Sequence, residues 1–242
     1  MNTFEKIIRD DLMNRCADKI LDLQHGFLPG RSCETQLIPF YDDLALSLNN
    51  CSRIDVIYFD FSKAFDSVNH DIILNKLKYQ FNIDGKLLRF FVSYLRDRDQ
   101  CVVIGGECSS IKQVLSGVPQ GSILGPTLFI LFINDIGEGL NENSKIWLYA
   151  DDTKIYREIK NLSDNEKLQK DINLLNDWAL LNKMIFHPEK CKSMCVTLKH
   201  ISQQFVYKLG SVLIEPVTTE KDLGVNFTSS LSWSEHCNYL YS

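Results

Sequence analysis

Positive charge is in short supply: 26 Lys and Arg stand against 31 Asp and Glu, a formal net charge of −5. Affinity for phosphate backbones comes mainly from Lys and Arg, so a uniformly basic nucleic-acid-coating surface is excluded and only a local basic groove is left open. No apolar run is long enough to span a bilayer. The longest, Ile123 to Ile136, is interrupted by Gly125, Pro126 and Asn134, which predicts a buried helix and no membrane association. A secretory leader is also missing. The eight cysteines are scattered, and the closest pair, Cys191 and Cys195, falls at an apparent strand start rather than in a zinc-ribbon pattern. Reduced thiols in an intracellular protein follow. There is no GxGxxG fingerprint, no P-loop, no Ser/His pair with hydrolase flanks, no repeat, no low-complexity tract and no clear interdomain linker. Hydrophobic residues at 45% and aromatics at 11% over 242 residues are ample for a core, in one large or two small domains.

What is present centres on Leu148-Tyr149-Ala150-Asp151-Asp152-Thr153-Lys154-Ile155-Tyr156. Strand-prone residues on both sides predict a β-hairpin with Asp151 and Asp152 supplying the turn. An ordinary Asp-rich turn explains these residues equally well on local grounds. Flanks that look buried change the balance, because two neighbouring carboxylates pressed toward a core repel each other unless a cation neutralises them. A third acid stands at the exit of another apolar strand, Asp55 to Phe61, with Val56-Ile57-Tyr58-Phe59 in its middle and Asp60 at its end. If that strand neighbours the hairpin in one antiparallel sheet, Asp60, Asp151 and Asp152 converge. Such a cluster suits two divalent ions and phosphoryl transfer.

The remaining chain reads as helices and short strands. Helical spacing at Phe4, Ile7, Ile8 and Leu12 starts without a cap, as a chain entered in mid-domain would. A Gly/Pro-punctuated loop from Gln24 to Ser32 carries Arg31, which on local grounds is a solvated cation, and His25, which is packed or exposed rather than a ligand. A helix follows through Thr35, Leu37, Tyr41, Leu44 and Leu48. Further helices are predicted from about Asn69, over Leu87 to Arg96, from Pro126 as its opening residue, and from a Ser163 to Glu166 capping box through Ala179. Asp66 and Asp71 sit where turn and helix-start acids are routine, and are assigned structural roles. Strands are expected at Gln100 to Ile104, Ile111 to Leu115, Met194 to Leu198, Phe205 to Leu209, Val212 to Ile214 and Leu223 to Phe227. Gly and Pro make Ser116-Gly117-Val118-Pro119-Gln120-Gly121-Ser122 a loop, of the kind that lets backbone approach a ligand, with Gln120 held in its middle.

Three of these stretches, Phe59-Asp60-Phe61-Ser62-Lys63-Ala64-Phe65-Asp66, Ser116 to Pro126, and Tyr149-Ala150-Asp151-Asp152, resemble successive motifs of reverse transcriptases in the family's order. The sequence is most similar to enzymes of jockey/CR1-type non-LTR retrotransposons, and the similarity extends from Gln24 to Leu223-Gly224-Val225. The resemblance implies an α+β fold: fingers and palm over residues 1–230, with an antiparallel palm sheet backed by helices, and the start of a truncated thumb over 231–242. It implies an RNA-directed DNA polymerase that extends a DNA primer on an RNA template with deoxynucleoside triphosphates, using two Mg²⁺ or Mn²⁺ ions.

In that resemblance Asp60, Asp151 and Asp152 bind the metals together with the Phe61 carbonyl. Arg31 clasps the triphosphate, Phe65 bars the ribose 2′-hydroxyl, and Gln120 and Gly121 contact the incoming nucleotide. Lys190 lies near the departing phosphates, and Leu223, Gly224 and Val225 hold the primer end. Relatives carry an endonuclease region before this part and a helical thumb after it, so the full-length element would supply both, and residence in cytoplasm and nucleus is expected. Leu28 stands where many relatives carry a basic residue. A catalytically inactive fragment with at most nucleic-acid binding is the alternative. A metal-dependent phosphohydrolase is the third reading, disfavoured because it needs neither the Gln120 loop nor an aromatic residue at 65.

Overall fold

A computed structural model describes residues 2–199 and 204–241; Met1, residues 200–203 and Ser242, which belong to the two segments expected above, lie outside the described residues. In chain order the helices are α1 (Asn2–Cys16), α2 (Cys33–Asn49), α3 (Ala64–Ser67), α4 (His70–Tyr79), α5 (Gly85–Leu95), α6 (Leu124–Ile133), α7 (Leu162–Leu181) and α8 (Ser234–Tyr241). The strands are β1 (Ile54–Phe59), β2 (Asp99–Gln100), β3 (Val103–Ile104), β4 (Glu107–Cys108), β5 (Lys112–Gln113), β6 (Ser144–Tyr149), β7 (Asp152–Glu158), β8 (Lys192–Val196), β9 (Lys208–Leu209), β10 (Val212–Leu213), β11 (Glu215–Val217), β12 (Thr219–Asp222) and β13 (Val225–Thr228). Two compact units result: Met1–Leu21, Lys63–Asp135 and Asn182–Met184 form one, and Asp22–Ser62, Ile136–Leu181 and Ile185–Ser242 the other.

The second unit is a five-stranded sheet in the order β11-β8-β1-β7-β6. Its pairs are antiparallel except β11 with β8, which run parallel. This is the α+β sheet expected from the motifs, with one parallel edge that the sequence did not announce. Alternation along the strands fills both faces. Val56 stands opposite Tyr156 and Met194, and these pack with Phe40 and Leu44 of α2 and with Phe227 of β13. Ile57 and Ile155 point to the other face, where Asp55 accepts a hydrogen bond from Asn165 Nδ2 of α7 at 3.0 Å. Helix α2 opens with a capping box in which the Ser32 side chain accepts from Thr35 N and the Thr35 hydroxyl accepts from Ser32 N.

The first unit is built round α6, whose residues are all buried except Pro126. A helix apolar on every side has to be central, and α1 and α4 pack on it. At its C-terminal end the buried Lys76 ammonium donates to the Phe132 carbonyl at 2.7 Å and to Asp135 at 2.6 Å, satisfying a helix end that would otherwise present bare carbonyls. The helix begins at Leu124 rather than at Pro126, so the proline occupies the first turn, where no intrahelical N–H bond is lost. Likewise α7 starts at Leu162, which puts Ser163 inside it. The capping box expected there is replaced by the Asp164 carboxylate reaching back to Lys160 N at 3.1 Å. The two strands expected between 100 and 115 are the short ladders β2–β5 and β3–β4, fully exposed and therefore without an apolar face to extend them.

Phe40 has no exposed surface and meets Tyr156 and Phe227 edge-on, with ring centroids 5.2 and 5.8 Å away. Phe40→Ala is expected to cost about 3–5 kcal/mol through lost burial and the cavity left behind. Thermal unfolding followed by circular dichroism should show a Tm lower by about 10 °C, and an unchanged Tm would mean that this core is not what holds α2 to the sheet.

Candidate active site

Register brings the acids together. Strand β1 pairs with β7 so that Phe59 faces Thr153, which sets Asp60 just past the strand end beside the turn that begins β7. Tyr149 pairs with Asp152, so the hairpin turn consists of Ala150 and Asp151, and Asp152 is already the first strand residue. The sequence assigned both acids to the turn; the pairing moves Asp152 out of it. Ala150 has φ 56°, whereas Asp151 is not in the left-handed region. This sign pattern belongs to a type II′ turn, whose first central position ordinarily takes Gly, so alanine here carries strain that its surroundings must hold.

The surroundings are the Gln24-His25-Gly26 segment. Gln24 Oε1 accepts from Ala150 N at 2.9 Å and from Gly26 N at 2.8 Å. His25 N donates to Leu148 O at 2.8 Å, and Leu148 N to Leu23 O at 3.0 Å. Gly26 lies so close to the turn that a Cβ would stand 2.3 Å from Ala150 N. Glycine is required by that approach alone. The sequence showed only a Gly/Pro loop here; that Gln24 and Gly26 cradle the hairpin depends on contacts 126 residues apart in the chain.

Like charges accumulate at this turn. Asp152 keeps an open edge to solvent, yet the protein packed round the rest of its carboxyl, reinforced by Asp151 and Asp222, pushes its pKa up to about 6. Burial, with Asp60 adding to it, raises that of Asp151 as well. Among the described residues no three Asp, Glu, His or Cys side chains close into a ready metal cage. The donor chemistry nevertheless fits a divalent cation: hard carboxylate oxygens that disfavour one another's ionisation are what Mg²⁺ or Mn²⁺ relieves.

Asp60 is half exposed, and Lys190 Nζ lies 3.6 Å from its Oδ1. The backbone on either side of Phe61 is fixed by Ser62 N donating to Ile185 O at 2.8 Å and His187 N to Asp60 O at 2.7 Å, a bridge that leaves the Phe61 N–H and C=O out. The Phe61 ring stacks on Phe186 at 4.2 Å. A cavity of about 310 Å³ is lined by Asp60, Asp152, Lys154 and Lys190 and, from the β12–β13 hairpin, by Asp222, Leu223 and Gly224. The Leu223-Gly224 pair is the turn of that hairpin, with φ 47° and 89°, rather than the start of a strand; Val225 opens β13 and packs against the α2 core. Lys154 is buried, and its Nζ donates to Asp222 and, at 3.0 Å, to Gln36 Oε1.

Arg31 is not free in its loop. One guanidinium nitrogen donates to the Asp22 carbonyl and another meets the Asp22 carboxylate at 3.1 Å. His25 Nε2 is 3.4 Å from the guanidinium, and burial, with Arg31 and Lys154, lowers the His25 pKa so that the neutral ring can accept there. In the first unit the Phe65 ring stacks on Phe129 at 4.4 Å, and the Phe65 carbonyl accepts from Val118 N at 2.9 Å. Gln120 Nε2 donates to Asp66 at 2.8 Å, Asp66 lies in the first turn of α3, and Gly121 has φ 76°.

Two outcomes follow. Gln24→Leu removes the acceptor from two buried N–H groups and should lower stability by about 2–4 kcal/mol in chemical denaturation; a loss below about 0.5 kcal/mol would mean that the turn is held otherwise. For Asp152 the folded pKa lies above its ordinary 3.8, so the folded state binds the extra proton and stability falls as pH rises from about 4 to about 6. In metal-free buffer near pH 7, Asp152→Asn should therefore be more stable than wild type, by about 1 kcal/mol once solvent screening at the open edge is allowed for. The gap should close near pH 4, and equal stability at both pH values would remove the charge conflict.

A family model described as reverse transcriptase (RNA-dependent DNA polymerase) matches residues 2–240. The chain is 30% identical to the RNA-directed DNA polymerase from mobile element jockey of Drosophila melanogaster, over 96% of this chain and 26% of that protein. It is 26% identical to the probable RNA-directed DNA polymerase from transposon BS of the same organism, over 96% and 27%. It thus spans about a quarter of the length of these curated relatives. Among solved structures, apo telomerase from Candida tropicalis truncated from its C-terminal domain superposes with a TM-score of 0.66 at 13% identity, over 95% of this chain and 44% of that one. Telomerase from Candida albicans in complex with a fragment of telomeric RNA gives 0.59 at 10% identity, over 96% and 38%. These likenesses speak for the fold, and the family model together with the retrotransposon relatives speaks for descent: the chain belongs to the reverse transcriptase (RNA-dependent DNA polymerase) family.

Proposed function

We propose that this chain is the polymerising core of an RNA-directed DNA polymerase, extending a DNA primer on an RNA template with deoxynucleoside triphosphates. The observation that carries the reading is the β1–β7 register, which gathers Asp60, Asp151 and Asp152 at one end of one sheet beside the cavity bordered by Lys190 and the Leu223-Gly224 turn. Residues 1–230 are assigned to fingers and palm and 231–242 to the start of the thumb. The endonuclease and thumb regions of a full-length element would complete it.

In the proposed reaction the primer 3′-hydroxyl oxygen bonds to the α-phosphorus as the bond to the β-phosphate breaks. The hydroxyl proton passes to solvent water, and pyrophosphate leaves. Asp60, Asp151, Asp152 and the Phe61 carbonyl are the oxygen donors that would hold two divalent cations. When bound, these ions polarise the attacking hydroxyl and neutralise the charge of the leaving phosphates. Lys190 adds positive charge beside Asp60 for the same phosphates. Arg31 contributes its planar fork to the triphosphate once Asp22 releases it. Leu223, Gly224 and Val225 receive the primer end. Phe65, by its bulk, excludes the ribose 2′-hydroxyl, and Gln120 and Gly121 contact the incoming nucleotide.

Primer extension on an RNA template, in Mg²⁺ and in Mn²⁺, tests the proposal. Asp151→Ala should reduce incorporation about a thousandfold or more while leaving the circular dichroism spectrum unchanged. No extension by folded wild-type protein in either metal would favour an inactive fragment that retains at most nucleic-acid binding. Phe65→Ala should raise ribonucleotide use relative to deoxynucleotide at least about tenfold; an unchanged ratio would take the sugar-discriminating role away from Phe65.

A further inference from the structure

The β12–β13 hairpin is a two-stranded ladder separate from the five-stranded sheet. At its far end it is tied to the sheet through Thr197 N donating to Ser229 O at 3.0 Å. At its turn end the tie is made by side chains. Asp222, the last residue of β12, has a side chain only 6% exposed and takes a hydrogen bond from Lys154. Lys154 lies two residues beyond Asp152 in β7, on the same face of the strand. Its ammonium also donates to Gln36 of α2 at 3.0 Å and sits 4.2 Å from the centroid of the Phe40 ring. Lys154 and its two polar partners, Asp222 and Gln36, are nearly inaccessible to solvent.

A lysine buried to this extent on a catalytic strand is costly to desolvate, and hydrophobic residues of the same volume would serve the fold as well. What an ion pair adds is a fixed mutual position for the two elements that carry it. We propose that Lys154 is a positioning residue for the primer: by clamping Asp222 it holds the Leu223-Gly224 turn at a set distance from Asp152. This rests on the reading of residues 223–225 as the primer site.

Hydrogen exchange read by mass spectrometry, together with steady-state extension kinetics, tests it. The variants are Lys154→Met, Asp222→Leu and the double variant. Each single change leaves one buried charge unpaired, so amides of 219–228 should exchange at least about a hundredfold faster, with β1, β6 and β7 unaltered. Primer KM should rise at least about tenfold while nucleotide KM changes less than about twofold, because only the primer end is displaced. The double variant has no unpaired charge and should regain protection of 219–228; its effects should be smaller than the sum of the single ones. Exchange over 219–228 equal to wild type in Lys154→Met, or single effects that simply add, would overturn the clamp. Should Lys154→Met fail to fold, Asp222→Leu and the double variant still report the coupling. Loss of protection without any primer extension by wild type would remove the polymerase reading and leave the clamp standing, whereas normal primer KM in a chain with a loosened turn would remove the primer role.

Discussion

The pairing of β1 with β7 is the constraint on which the rest of this molecule depends. With Phe59 opposite Thr153 and Val56 opposite Tyr156, one face of the sheet meets α2 and the other meets α7. A slip of one residue would turn Val56 and Tyr156 away from Phe40 and would carry Asp60 out of line with the hairpin turn. The apolar core therefore fixes the register, and the register delivers the acids. Packing residues far from the turn, such as Met194 and Phe227, in this way determine where three carboxylates stand.

The parts of this arrangement that rest on local rules were legible in the sequence. An apolar strand with Asp60 at its exit, a hairpin around Asp151 and Asp152, and a helix start near Asn69 follow from periodicity and capping chemistry; the structure has all three, with β1 ending at Phe59 and the hairpin strands longer than the 146–156 stretch that reads as strand-prone. The motifs read as a reverse transcriptase, and the chain belongs to that family. What escaped was set by distant partners. The Ala150-Asp151 turn is defined by strand register rather than by turn propensity, and alanine would not be chosen for a left-handed position without Gln24 and Gly26 behind it. Nothing local marks Lys154, whose buried partner Asp222 lies 68 residues away. The break-up of 100–115 into two short exposed ladders has the converse cause, since strand-prone residues there find no apolar surface to lie on.

Charge organises the site in two grades. Arg31 with Asp22 and Lys190 with Asp60 are partly exposed pairs, held at 3.1 and 3.6 Å. Pairs of this kind contribute little to stability and exchange partners readily. Lys154 with Asp222 is buried on both sides, and separating it leaves a charge in a low-dielectric setting at a cost of several kcal/mol. Under the polymerase reading the distinction matches the work each has to do. A triphosphate offers Arg31 and Lys190 more negative charge than the carboxylates they hold, while divalent cations offer Asp60 a stronger partner than one ammonium. Both rim pairs can then be exchanged in the same binding event, so that little charge is left unpaired. The buried pair takes no part in that exchange, and the turn it anchors keeps its place while the rim is rewired. On that reading an acidic chain presents a site for polyanions without a basic surface, because Arg31 and Lys190 are held beside carboxylates, one of which metal ions would claim.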